Sequence, residues 1–175
     1  MEKPNVVLGL LLTLVFMGIE ASWAQTLEKM AVKADVDHWQ KSGIKTFVGE
    51  VIDIDVTGQW SFNCRRNPLG RNIHVHSSPD GKCLKCQKGK SGWPADRFMP
   101  LPHAPTGALI GKIKDKVFMV GKHLHLVITP DLVGDLQFMM NDSNFMDNHC
   151  FYQDSLDIPK EFSHLDIKVI HTEYR

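Results

Sequence analysis

The clearest pattern in the chain is a period of two. Ile52, Ile54 and Val56 alternate with Asp53, Asp55 and Thr57, which sets one apolar face against a core and one polar face in water, as a half-buried strand requires. Gly58 marks a bend, and Gln59 to Asn63 continues as a second strand carrying Trp60 and Phe62. Strand signals return at Gly107 to Ile113, Val117 to Val120, His123 to Thr129, Asp135 to Met140 and Leu165 to His171, each short, β-branched or alternating, and separated by Gly, Pro or Asp. Leu124, Leu126 and Ile128 share one face; Leu136, Phe138 and Met140 share another. No run of helical period lies between these strands, which predicts an all-β, jelly-roll-like antiparallel sandwich and argues against βαβ units. Two stretches stand outside the pattern. Gln25 to Ala34 reads as a helical lead-in with polar ends, so 25–35 is expected to precede a single domain over 36–175. Cys64 to His103, rich in Gly, Pro, Lys, Ser and Cys, reads as one long loop, a feature that in compact domains is functional or held by cross-links.

The first 24 residues change the picture of where the domain works. Lys3 precedes an apolar run from Val6 to Ile19, and Ser22 and Ala24 stand at the small-residue positions of a signal-peptidase site, which predicts cleavage before Gln25. The run is shorter than the roughly 20 residues of a membrane-spanning helix and is stopped by Glu20. A secreted or periplasmic protein without a membrane span after cleavage is the expectation. Lysine plus arginine equals aspartate plus glutamate at 20 each, so no net field draws the chain to nucleic acid or an anionic surface. In an oxidising compartment the four cysteines, Cys64, Cys83, Cys86 and Cys150, favour two disulfides whose pairing the spacing leaves open. Zinc and a redox pair at Cys83-Leu84-Lys85-Cys86 are the alternatives. No second close pair completes a compact zinc site, and Gln87 stands where covalent haem attachment needs His.

The most informative chemistry lies in Asn141-Asp142-Ser143-Asn144-Phe145-Met146-Asp147-Asn148, directly after an apolar strand. Calcium takes six to eight oxygens at about 2.3–2.6 Å, and a short loop of this composition supplies carboxylate, amide and backbone oxygens. A solvated turn is the plainer alternative, because Asn and Asp also favour turns. An EF-hand is excluded, since no Gly lies in the loop and no Glu closes it. His74-Val75-His76 would place two imidazoles on one face as a zinc or nickel pair, against the reading of an exposed loop. Trp93 could stack on a sugar ring or plug the loop. Met139 and Met140 fall on opposite faces of a strand, which with Met146 favours core filling over copper. No Gly-x-Ser-x-Gly, His-Glu-x-x-His or complete phosphate-binding loop is found, so no catalytic residue is assigned and a non-enzyme is expected.

Several blocks occur in an order that carries a resemblance: Val36 to Ile44 with its Trp-x-x-Ser-Gly-Ile, Val48-Gly49 and Val51 to Trp60, Pro102 to Ile113 with its Gly-Ala-Leu-Ile-Gly, Val120-Gly121, and Gly134 to Met140 leading into Asn141-Asp142 and Asp147-Asn148. In this order the chain resembles the calcium-dependent galactophilic lectins of bacteria, the PA-I-like family, over about Val36 to Ile170. The resemblance implies a jelly-roll sandwich with Ca²⁺ at one edge, bound directly by two hydroxyls of a galactoside. Carried over by position, it implies Asp142, Asp147 and Asn148 as side-chain ligands, Asn144 as a loop-carbonyl donor and Phe62 as the distal backbone carbonyl. Asp142, Asp147 and Asn148 would also hydrogen-bond the sugar, with His76, Asp80 and Lys82 as nearby candidates from the long segment.

Two functional classes follow. The first is an exported carbohydrate-binding module, possible as an oligomer, that uses Ca²⁺ to hold a saccharide. The second is a structural or interaction domain of the cell envelope that has lost metal and sugar and relies on disulfides. His149-Cys150 separates them, because the family pattern continues Ser-Gly after Asp-Asn.

Overall fold

The computed structural model describes residues 23–66, 72–83, 97–143, 145–148 and 163–174. The signal segment before Trp23, Trp93, Asn144 and Cys150 lie outside the described residues. Ten strands follow in chain order: β1 (Trp23–Lys33), β2 (Gln40–Thr46), β3 (Val51–Gly58), β4 (Trp60–Arg66), β5 (Asn72–Ser77), β6 (Leu109–Ile113), β7 (Lys116–Met119), β8 (His123–Val127), β9 (Gly134–Met140) and β10 (His164–Tyr174). Two one-turn 3-10 segments, Pro130–Leu132 and Phe145–Asn148, complete the described elements.

One four-stranded sheet has the order β1-β10-β3-β8 and a second β2-β9-β6-β7, with β4 and β5 as a separate hairpin. All strand pairs are antiparallel. With the β4–β5 hairpin set aside, the eight remaining strands divide between the sheets in the connectivity of a jelly roll. The expected fold class is therefore the observed one.

The period of two in β3 is realised as read: Ile52, Ile54 and Val56 are buried, and Asp53 and Asp55 lie on the other face opposite His125 and His123 of β8. Between the sheets these residues meet Leu165, Ile167 and Val169 of β10 and Leu136, Phe138 and Met140 of β9. Strand β6 is buried on both faces. Ile110 and Met139 turn away from the main core into a second cluster with Ala104, beneath Trp39 and Leu101, so Met139 and Met140 do fill two different apolar regions.

Three stretches differ from expectation. Gln25 to Ala34 is not a helix: it belongs to β1, which pairs with β10 along its whole length from Trp23↔Tyr174 to Lys33↔His164. Glu, Lys and Ala favour a helix locally, but Val32 is fully buried and Met30 packs against the core, so pairing with β10 overrides propensity. The Cys64 to His103 segment is not all loop, because β4 runs to Arg66 and pairs with β5. Strand β5 buries Val75, His76 and Ser77 in succession, so its polar and apolar positions do not sort between a core face and a wet face. Strand β2 lacks a clean alternation for a different reason: its register shifts between Lys41 and Lys45 around Gly43 at φ +85°.

Candidate functional site

The inserted hairpin and two loops meet at one rim of the sandwich, and most of the buried polar side chains among the described residues gather there: Ser61, His76, Ser77, Ser78, Thr106, Asn141, Asp142 and Asn148. Gly107 is the pivot. Its φ of +75° is open to glycine, and a Cβ there would stand 2.9 Å from the Cβ of Ser77 and 3.1 Å from the Phe62 ring. Its carbonyl accepts from Trp60 Nε1 at 2.8 Å and from Ser77 Oγ at 2.9 Å. This ties the loop to the hairpin.

Asn141 ties the same loop to the end of β9. Its backbone N–H donates to Ala108 at 2.8 Å, and its carbonyl accepts from Gly107 N–H at 2.9 Å. Its side chain, fully buried, accepts from Leu101 N–H at 3.0 Å and donates to the carbonyls of Leu101 at 3.0 Å and Ala104 at 2.9 Å. All of its polar capacity goes into holding the backbone of 99–108. Sequence reasoning flagged the turn but gave Asn141 no role; the only signal was its place directly after an apolar strand.

The next residue is different in kind. Asp142 is 5% exposed, and its N–H donates to Met140 O at 3.1 Å, which starts the turn. At the far end Asn148 is fully buried. Its Nδ2 donates to Ala34 O at 2.7 Å and contacts Met140 Sδ at 3.7 Å. With the nitrogen so committed, the amide oxygen is fixed by elimination, and Oδ1 is buried with no hydrogen-bond donor among the described residues. Ser61 Oγ reaches the Asn148 carbonyl at 3.4 Å, and the 145–148 turn packs on β4.

Phe62 lies in that stretch of β4, at the register shift between Ser61↔His76 and Asn63↔Val75; its ring is buried. His76 is also buried, on β5 opposite Ser61, so the exposed-loop reading of His74-Val75-His76 is corrected to a strand with His76 inside. Asp80 stands apart: its carboxylate accepts from Lys122 N–H at 3.0 Å and pairs with Lys122 Nζ at 3.6 Å, binding the turn between β7 and β8. Lys82 is exposed. Thus Asp142, Asn148, Phe62 and His76 share the rim, Asp80 is engaged next to it, and Asn144 and the side chain of Asp147 fall outside the described set. Among the described residues no three His, Cys, Asp or Glu side chains are grouped as a metal site. Cys83 is disulfide-bonded and bridges to Ser77 in the backbone. The side chains of Cys64, Cys86 and Cys150 lie outside the described set.

A solved structure described as "EclA N-terminal domain; PllA-like lectin" aligns with 83% of this chain and 96% of its own, at 14% identity and a TM-score of 0.49. No family model matches the chain, and no curated protein matches it.

Proposed function

We propose that this protein is an exported, non-catalytic carbohydrate-binding module that holds Ca²⁺ in the 141–148 turn and presents it to a galactose-like saccharide. The observation that carries the reading is the amide of Asn148: fully buried, its nitrogen bound to Ala34, its oxygen left with no donor among the described residues. A buried acceptor without a donor is costly, about 1–3 kcal/mol, and a hard cation is the partner that a buried amide oxygen and a nearby buried carboxylate both suit. Asp142 and Asp147 would supply the charge, Asn148 an amide oxygen, and Asn144 and Phe62 backbone carbonyls, the last from the irregular part of β4. Two hydroxyls of the sugar would complete the ion's shell, with His76 at the same rim. Disulfides would brace the hairpin segment, and removal of residues 1–24 would leave β1 nearly whole.

A second reading, a structural domain of the cell envelope without metal, is favoured by Asn141 and Asp80, both committed to internal contacts. Titration of the mature protein with galactosides, in calcium and then in chelator, separates the two. Saturable binding only with calcium supports the module; no binding of any sugar on a calcium-loaded glycan array refutes the saccharide part.

A further inference from the structure

On the outer face of the first sheet, at the other side of the sandwich from its core, β8 carries His123-Leu124-His125 with both histidines exposed and Leu124 turned inward. Each histidine stands directly across from an aspartate of β3, His123 from Asp55 and His125 from Asp53. His123 Nδ1 lies 2.8 Å from Asp55 Oδ1, and His125 Nδ1 lies 2.6 Å from Asp53 Oδ1. A carboxylate only accepts, so Nδ1 donates in both rings, and the neutral form of each imidazole has its lone pair on Nε2. The rings are 60% and 58% exposed, so those nitrogens are open to solvent.

We propose that His123 and His125 form a surface chelate for a borderline divalent transition cation such as Zn²⁺, Ni²⁺ or Cu²⁺, with Asp55 and Asp53 as positioning residues. Two imidazoles at i and i+2 of a strand lie on one face, within the span a single ion can bridge with modest ring rotation. A carboxylate on the second ring nitrogen fixes the tautomer and raises the basicity of the ligand, the arrangement metal-binding histidines usually carry. Imidazole pairs select Zn²⁺, Ni²⁺ and Cu²⁺ over Ca²⁺, so this site is chemically distinct from the turn at 141–148 and does not depend on it. With two protein ligands, water or a ligand from another molecule fills the remaining positions. Of the two His-x-His runs in the chain, His74-Val75-His76 has His76 buried, while His123-Leu124-His125 presents both histidines to solvent.

The test is calorimetric titration of the untagged mature protein with Zn²⁺ and with Ni²⁺, in excess Ca²⁺, alongside His123→Gln, His125→Gln and Asp53→Asn. One equivalent should bind in the parent, at least about tenfold more weakly in either His variant, and about tenfold more weakly in Asp53→Asn through loss of the orienting carboxylate. Melting temperatures without metal check that the exposed substitutions leave the fold intact. His variants that bind as tightly as the parent, or a parent that binds neither ion, would overturn the proposal.

Discussion

Asn141 and Asp142 are neighbours with opposite work, the first bracing backbone and the second proposed to face an ion, and substituting each in turn makes that division measurable. Asn141→Ala removes one acceptor, used by Leu101 N–H, and the donor contacts of Nδ2, the shortest to Ala104 O and Leu101 O and the longer ones to Pro105 O and Met99 Sδ. At roughly 1 kcal/mol net for each of the three shortest bonds, with the Ala104 carbonyl left desolvated, the loss comes to about 3 kcal/mol. That is a large part of a typical stability of about 5–15 kcal/mol. For a domain of this size it corresponds to a fall in Tm of roughly 6–12 °C. Asp142→Asn in chelator should move stability by less than about 1 kcal/mol, because a neutral side chain of nearly the same shape keeps the packing of this buried position and relieves it of the cost of burying a charge. Urea unfolding in chelator, followed through tryptophan fluorescence of the buried Trp60, reads both. Near-wild-type stability for Asn141→Ala, or an equal loss in both variants, would refute the division.

Other substitutions test the fold that positions the rim. Gly107→Ala forces a side chain into the positive-φ region and 2.9 Å from Ser77, so a loss of roughly 2–4 kcal/mol is expected in the same assay. Val32→Ala should cost about 2 kcal/mol, since Val32 is fully buried in β1; no cost would return 25–35 to a lead-in outside the domain. The hydroxyl of Thr129, first, and then the Asp131 backbone and Lys116 hold the Asp131 carboxyl below its ordinary range. Titration followed by NMR should therefore show Asp131 ionising at lower pH than in Thr129→Val.

What could be read from the chain follows from how much burial each strand has on one side only. Strand β3 alternates cleanly because one face meets the core and the other meets water, and Leu136, Phe138 and Met140 of β9 read equally well. Strands β1, β2 and β5 did not, for physical reasons that differ. Strand β1 buries only its C-terminal half and is written in helix-favouring residues; β2 is broken by a register shift, and β5 buries His76 and Ser77 along with Val75, so polarity does not mark its faces. The rim was legible as composition, an Asn/Asp turn after an apolar strand, but the roles within it were not. That Asn141 serves the backbone and Asn148 leaves an oxygen over depends on partners 37 and 114 positions away, Ala104 and Ala34. The His–Asp pairs across β3 and β8 were hidden likewise, since only the strand register brings Asp53 to His125.

The calcium site proposed for the 141–148 turn sets an ion against the oxygens of Asp142, Asp147 and Asn148. Its most direct test is the melting temperature of the mature protein with saturating Ca²⁺ against chelator, for the parent and for Asp142→Asn. A ligand present at about 100 times its dissociation constant adds about 2.7 kcal/mol to the native state, so the parent should gain several degrees and Asp142→Asn none. A parent whose melting is indifferent to calcium, or a variant that gains as much as the parent, would contradict it.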